Sequence, residues 1–223
     1  MSTCLVGSEM CIRDSKYSRQ IILKDVGIIG QKKIFNSKIL VVGAGGLGSP
    51  VIDLLVRAGV GFLGVIEDDK VDYSNLHRQT LYDYNDVGKY KSDVIKKKIK
   101  LINDKIKLKI FKERAKDKNL SKILPKFDII VDGTDNFPTK FLLNKYSLKY
   151  KKKLVIGAIS KFDGHIFSFD FSQKKIPCLN CFYQGMPSDE ILNCEAEGIL
   201  GPTANVIGAI QANEVLKIIL GLN

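Results

Sequence analysis

Three glycines, Gly43, Gly45 and Gly48, satisfy G-x-G-x-x-G directly after the apolar run Ile39-Leu40-Val41-Val42, and Gly46 adds a fourth. A glycine turn between a strand and a helix leaves backbone N–H groups and a helix N-terminus free to hold phosphate. That is the chemistry of a bound nucleotide, without saying which nucleotide or what is done to it. Glu67 stands 19 positions beyond Gly48 at a strand end, where an acid commonly binds ribose hydroxyls. The polar stretch Val71 to Tyr84, which contains Asp72-Tyr73-Ser74-Asn75-Leu76-His77-Arg78-Gln79-Thr80, reads as an active-site loop at the same sheet end. Lys91 lies near a helix start, and Asp132-Gly133-Thr134-Asp135-Asn136 ends a further strand. Cys178 and Cys181 form a C-x-x-C, with Cys194 beyond them; this spacing suits metal or thiol chemistry.

Positioning such residues requires strands that end together. Ile39–Val42 suits a strand buried on both faces, and Val51 to Ala58 reads as the helix behind the glycine turn. Phe62–Ile66 is the second strand, Val87–Ile102 a helix, Ile106–Phe111 an alternating third strand, and Leu120–Leu124 a short helix ended by Pro125. Phe127–Val131 is the fourth strand. Pro138 starts a helix with Phe141, Leu142, Lys145 and Leu148 on one face, and Leu154–Ile159 is the fifth strand. Gly27, Gly30 and Asn36-Ser37 punctuate the approach to the first strand. The alternation predicts an α/β, Rossmann-like doubly wound, mostly parallel sheet. Asp163-Gly164 is a hairpin signal before the alternating His165–Phe171, which extends the sheet with antiparallel strands. Thr203–Leu220 reads as a long apolar helix, buried in the core or at an interface.

The chain has 223 residues, 45% of them hydrophobic, with 35 Lys and Arg against 24 Asp and Glu. That charge, +11, raises nucleic-acid binding as a reading. Lysine-rich solvated helix faces account for it better, with attraction to an acidic protein partner as a milder functional version. No apolar run is long enough to span a membrane. Five cysteines, an odd number, with a C-x-x-C point to a reducing, cytoplasmic compartment. Residues 1–15 match nothing that follows and look like translated adapter sequence rather than a secretory signal, so residues 16–223 carry the domain.

Arg19-Gln20, the Gly43–Gly48 loop, Ser74-Asn75-Leu76-His77-Arg78-Gln79, Gly88-Lys89-Tyr90-Lys91, Gly133-Thr134-Asp135-Asn136 and the C-x-x-C follow the order and spacing of one family. Together they make Tyr17 to Asn223 resemble the ThiF/MoeB/HesA enzymes of the ubiquitin-activating-enzyme superfamily. The resemblance implies ATP-dependent adenylation of the C-terminal Gly-Gly carboxylate of a ubiquitin-like sulfur carrier, for thiamine or molybdopterin biosynthesis. It implies that Arg78 and Lys91 hold the phosphates, Asn75 orients them, and Arg19 reaches them from the other subunit of a homodimer. Glu67 would take the ribose, where the family usually has Asp, and Asp69 would brace the loop beside it. Gln79 and Asn136 would complete the nucleotide site, and Asp135 would bind Mg²⁺. Cys178 and Cys181 would be half of a structural Zn²⁺ site; either the family's second C-x-x-C lies beyond Asn223 in a longer chain, the reading preferred here, or the metal site is lost. Cys194 stands where the family carries a cysteine linked to sulfur transfer, its thiol attacking the acyl-adenylate or pairing with a carrier thiocarboxylate as an acyl disulfide, and a cysteine desulfurase or rhodanese is the implied sulfur donor.

Two other readings use the same residues. The glycine loop and Glu67 would equally serve an NAD-dependent oxidoreductase, but hydride transfer has no need of Arg78, Lys91 and Asp135. A catalytically inactive scaffold of the same superfamily would not need Arg19, Arg78, Lys91 and Asp135 together.

Overall fold

A computed structural model describes residues 16–173, 176–184 and 198–222. After a helical segment at 16–21, the elements run α1 (Gly27–Asn36), β1 (Lys38–Val42), α2 (Gly48–Ala58), β2 (Phe62–Ile66), α3 (Lys91–Ile102), β3 (Lys107–Phe111) and α4 (Asp117–Ile123). They continue as β4 (Ile129–Asp132), α5 (Phe137–Lys149), β5 (Lys153–Ser160), β6 (Asp163–Asp170), α6 (Leu179–Tyr183) and α7 (Gly201–Leu220). One sheet holds all six strands in the order β3-β2-β1-β4-β5-β6; β1 to β5 are parallel and β6 runs antiparallel to β5. This is the doubly wound sheet with an antiparallel extension that the sequence pattern predicts.

The apolar strands read as they do because both faces are covered. In β1, Ile39 and Val41 join a core built from α2, α3 and α7, while Leu40 and Val42 join a second core with α4, α5 and α6. Full burial of each such side chain contributes about 1.5–3 kcal/mol. Strand order reverses between β1 and β4, so the loops after these two strands diverge and leave a crevice at their carboxyl ends. Three glycines let those loops meet. A Cβ on Gly133 would lie 2.7 Å from the Gly43 carbonyl oxygen and 2.9 Å from Gly48 Cα, and one on Gly48 would overlap the Gly43 carbonyl.

Several boundaries depart from the sequence expectation. Gly27, at a φ of 53°, starts α1, whereas Gly30 lies within it and does not break it; Gly30 is small because Leu220 of α7 packs over it. The helix expected from Val87 starts at Lys91, since Gly88 takes a φ of 82° and turns the chain first. The fourth strand is Ile129–Asp132, and Phe127 is instead a core side chain ahead of it. On α5 the stripe Phe141, Leu142, Lys145 and Leu148 is not the buried face. Burial falls on Lys140, Leu143, Asn144 and Ser147, with Lys145 and Leu148 exposed. Two of the polar residues on that face have their partners inside: Lys140 donates to Asp132, and Asn144 Oδ1 accepts the Leu179 N–H. The hairpin turns at Lys161 and Phe162, not at Asp163-Gly164, which already lie in β6. Lys161 adopts the left-handed φ of 52°, and Gly164 serves packing, since a Cβ there would run into Ile207 of α7. The long helix α7 packs on α2, β5 and β6 with Ala204, Gly208, Gln211, Ala212 and Val215 buried, so its apolar face belongs to the core.

Candidate active site

A cavity of about 1130 Å³ opens at the carboxyl ends of the strands, between the loops that diverge from β1 and β4. The glycine loop forms its floor. Gly45 and Gly46 line it, whereas Gly48 sits behind as the first residue of α2. Added Cβ atoms separate their tasks. At Gly45 one would meet only Gln79 Nε2, at 3.6 Å, so the missing side chain leaves room in the cavity rather than satisfying packing. Ala44, between the glycines, is pinned by its whole peptide environment: its N–H donates to Glu67 Oε2 at 2.8 Å, and its carbonyl accepts from Tyr82 Oη at 2.9 Å and Ser49 Oγ at 3.2 Å. Burial, with Glu67, Asp69 and Asp86 nearby, pushes the Tyr82 phenol well above its ordinary range, so it stays a hydrogen-bond donor.

Glu67 lies at the end of β2 and lines the cavity. Its second oxygen accepts the Asp69 N–H at 2.9 Å, so Glu67 shares in bracing the loop with Asp69, whose carbonyl accepts the Lys91 N–H. Each oxygen keeps a further lone pair for a ribose hydroxyl. Asp69 is exposed and faces Lys91 Nζ at 3.6 Å and Arg114 at 3.7 Å. Lys91, buried at the start of α3, brings its ammonium to the cavity wall.

The loop after β2 is folded by its own polar residues. Asp72 caps the turn Tyr73–Asn75 by accepting from the Ser74 N–H and hydroxyl, and these bonds hold its carboxyl below the usual carboxylate range. The Asn75 carbonyl accepts the Arg78 and Gln79 N–H groups. This fold presents Asn75, Arg78 and Gln79 to the cavity. Arg78 donates to the Ser74 carbonyl and to His77 Nε2, at 3.0 and 2.7 Å. A guanidinium can only donate, so His77 accepts through Nε2 and carries its proton on Nδ1. Gln79 is buried, and its carboxamide oxygen has no partner among the described residues. A buried orphan acceptor on a cavity wall is suited to a ligand donor.

Asp135 and Asn136 form the opposite wall. Asn136 caps α5 by accepting the Thr139 N–H at 3.0 Å and donates to Asp135 Oδ1 at 3.3 Å. Asp135 is an exposed carboxylate on the cavity, a hard oxygen donor of the kind that holds Mg²⁺ beside substrate phosphates. Arg19 is not in this cavity. Its neighbour Gln20 donates to the Ala58 carbonyl at the far end of α2, and an 11-residue helix separates that end from the glycine loop by about 16 Å.

Cys178 and Cys181 do not line the cavity; their Sγ atoms are 3.8 Å apart. Burial of Cys178 works against ionisation but is outweighed by hydrogen bonds from the Cys181 backbone and the Asn144 side chain, so its thiol sits below the ordinary range. Two thiols supply half of a closed zinc site. Among the described residues the acids Glu67, Asp68 and Asp69 are the group of three or more His, Cys, Asp or Glu within ligating distance of one another, and neither cysteine has such company. Cys194 lies outside the described residues, as do residues 1–15. Sequence reasoning missed Tyr82 and the buried pair Asp132–Lys140. Asp132 at the very end of an apolar strand was the available signal; Lys140, eight positions on, becomes legible only once α5 is placed.

A doubly wound sheet with a glycine loop at its switch point, and with Arg78, Lys91 and a facing carboxylate on the cavity there, defines a nucleotide-binding domain of the Rossmann class. The ThiF family model matches residues 17–223, and the chain belongs to that family. It is 40% identical over 211 residues to the sulfur carrier protein adenylyltransferase of Thermus thermophilus, covering 93% of this chain and 78% of that one. It is 39% identical over 207 residues to a probable molybdopterin-synthase adenylyltransferase of Gracilaria tenuistipitata, and 40% over 208 to the adenylyltransferase and sulfurtransferase MOCS3 of Culex quinquefasciatus. Each alignment covers 93% of this chain but only 58% and 47% of those relatives, so it spans about half their length. Among solved structures it resembles Escherichia coli MccB with ATP, at a TM-score of 0.79 and 27% identity, covering 92% of this chain and 64% of that one. No helix among the described residues is long and apolar enough to cross a membrane.

Proposed function

We propose that this adenylyltransferase activates the C-terminal carboxylate of a ubiquitin-like sulfur carrier ending in Gly-Gly, for thiamine or molybdopterin biosynthesis. The carrier carboxylate oxygen attacks the α-phosphorus of ATP; the bond to the bridging oxygen breaks, and pyrophosphate leaves as the acyl-adenylate forms. Such a displacement asks little covalent chemistry of the protein, so position and charge carry the rate. The observation behind the reading is that Gly45, Gly46, Arg78, Lys91 and Asp135 converge on one cavity at the switch point. Backbone N–H groups of the glycine loop hold phosphate, Arg78 and Lys91 offset its charge, and Glu67 and Gln79 bind the nucleoside. Asp135 holds Mg²⁺, which when bound supplies charge neutralisation at the phosphates. The named relatives and the ATP-bound neighbour support the same nucleotide. A hydride-transfer site gains nothing from this arrangement of cations.

Incubation with a Gly-Gly-ending carrier, ATP, Mg²⁺ and labelled pyrophosphate is expected to give carrier-dependent exchange of label into ATP. Failure with both thiamine-type and molybdopterin-type carriers would overturn the reading. The position of Arg19, a helix length from the loop, supports a homodimer in which Arg19 acts on the partner's nucleotide. Mixed dimers of Arg19→Ala and Asp135→Ala subunits should then recover part of the exchange that each variant alone lacks; no recovery removes Arg19 from the site. Cys178 and Cys181 supply two ligands of a structural zinc whose other two come from outside the described residues, and purified protein that holds no zinc would remove the site. Cys194 takes part in sulfur transfer: its thiolate attacks the carrier acyl-adenylate, a thioester forms and AMP leaves, and a Cys194→Ala variant that still passes sulfur to the carrier would remove that step.

A further inference from the structure

The ion pair Asp132–Lys140 is the most deeply buried in the described molecule, with side chains 0% and 4% exposed. Lys140 Nζ donates to Asp132 Oδ2 at 2.7 Å, to the Thr134 carbonyl at 2.8 Å and to the Gly157 carbonyl at 2.6 Å. These three acceptors use all three ammonium donors. They come from three places: the end of β4, the turn after it, and β5. The other Asp132 oxygen accepts the Thr134 N–H and hydroxyl, at 3.0 and 2.6 Å, and the Asp132 carbonyl accepts from Gln211 of α7. Thr134 is therefore fixed on both sides of its peptide, and Asn136 is fixed as the α5 cap. Between them stands Asp135. Replacing a buried ion pair by apolar residues is often neutral or stabilising, so stability alone gives little reason to bury this one. What it secures is the geometry of one turn, keyed through Gly133 to the glycine loop.

We propose that Lys140 is a positioning residue, clamping the β4–α5 turn so that Asp135 is presented to the cation of the bound nucleotide. This rests on the reading that Asp135 holds that cation. Partners behind a metal ligand typically change metal affinity about 10–100-fold when removed. The test is calorimetric titration of ATP with Mg²⁺ and with EDTA, on the wild type, Lys140→Met and the double variant Asp132→Asn/Lys140→Met. The Mg²⁺-dependent gain in ATP affinity should fall about tenfold or more in both variants while affinity in EDTA is unchanged. The double variant, which leaves no buried charge unpaired, should recover thermal stability without recovering the Mg²⁺ dependence, and it decides the matter if Lys140→Met does not fold. Wild-type Mg²⁺ dependence in the double variant overturns the proposal, as does an equal loss with and without Mg²⁺. If Asp135→Asn leaves the Mg²⁺ dependence intact, the reading of Asp135 fails and the proposal with it. Absence of carrier-dependent exchange in the wild type would instead remove the adenylation reading and leave the calorimetric comparison standing.

Discussion

Substitution of Lys91 by methionine is expected to slow carrier-dependent pyrophosphate exchange by about 10²–10³-fold, equivalent to about 2.7–4 kcal/mol of transition-state stabilisation. The Lys91 side chain is 6% exposed, so its charge acts where water screens little. Its facing acid, Asp69, is 53% exposed and can be hydrated when the ammonium is gone. The fold therefore has little to lose, and methionine keeps the volume of the alkyl stem. Initial rates beside a thermal melt separate the two effects. A loss below tenfold in a normally folded variant would remove Lys91 from the reacting centre.

The second large effect separates two glycines three residues apart. In Gly48→Ala the new Cβ overlaps the Gly43 carbonyl, and neither partner is a flexible side chain that can swing away. Either the glycine loop or the start of α2 must move, at a cost on the order of 3 kcal/mol. In Gly45→Ala the new methyl meets only Gln79 Nε2, at 3.6 Å, and projects into the cavity. That variant should melt like the wild type yet bind ATP about tenfold or more weakly, because phosphate can no longer approach the backbone closely. Equal destabilisation in the two variants would show that Gly45 is also a packing glycine.

Much of this was legible before any coordinates, for physical reasons that differ along the chain. The parallel strands are apolar on both faces, so each is a run that announces itself, and Phe62–Ile66 falls where the run predicts. The cavity residues cluster after strand ends, which is where a doubly wound sheet binds ligands. The failures have equally specific causes. The buried face of α5 is polar, and hydrophobic periodicity cannot find a face whose burial depends on Asp132 and Leu179 elsewhere in the chain. Asp163-Gly164 carries a turn signal, but its glycine answers to Ile207 and the turn falls on Lys161. That Glu67 braces the loop as well as lining the cavity is a matter of side-chain direction at a strand end: Glu67, just past β2, reaches the Ala44 and Asp69 N–H groups, while the Asp69 carboxylate faces Lys91 and Arg114.

The central strand has a consequence in time. β1 pairs on one side with β2, which follows at once, but on the other side Ile39 pairs with Ile129. During synthesis roughly 90 residues must leave the ribosome before that second edge is covered, about 5–20 s at ordinary elongation rates. Throughout that interval Ile39, Leu40, Val41 and Val42 present an uncovered apolar strand edge, with Lys38 the one charge at its start. The seam between β1 and β4 that opens on the cavity is thus also the strand junction of the sheet that stays open longest on the nascent chain.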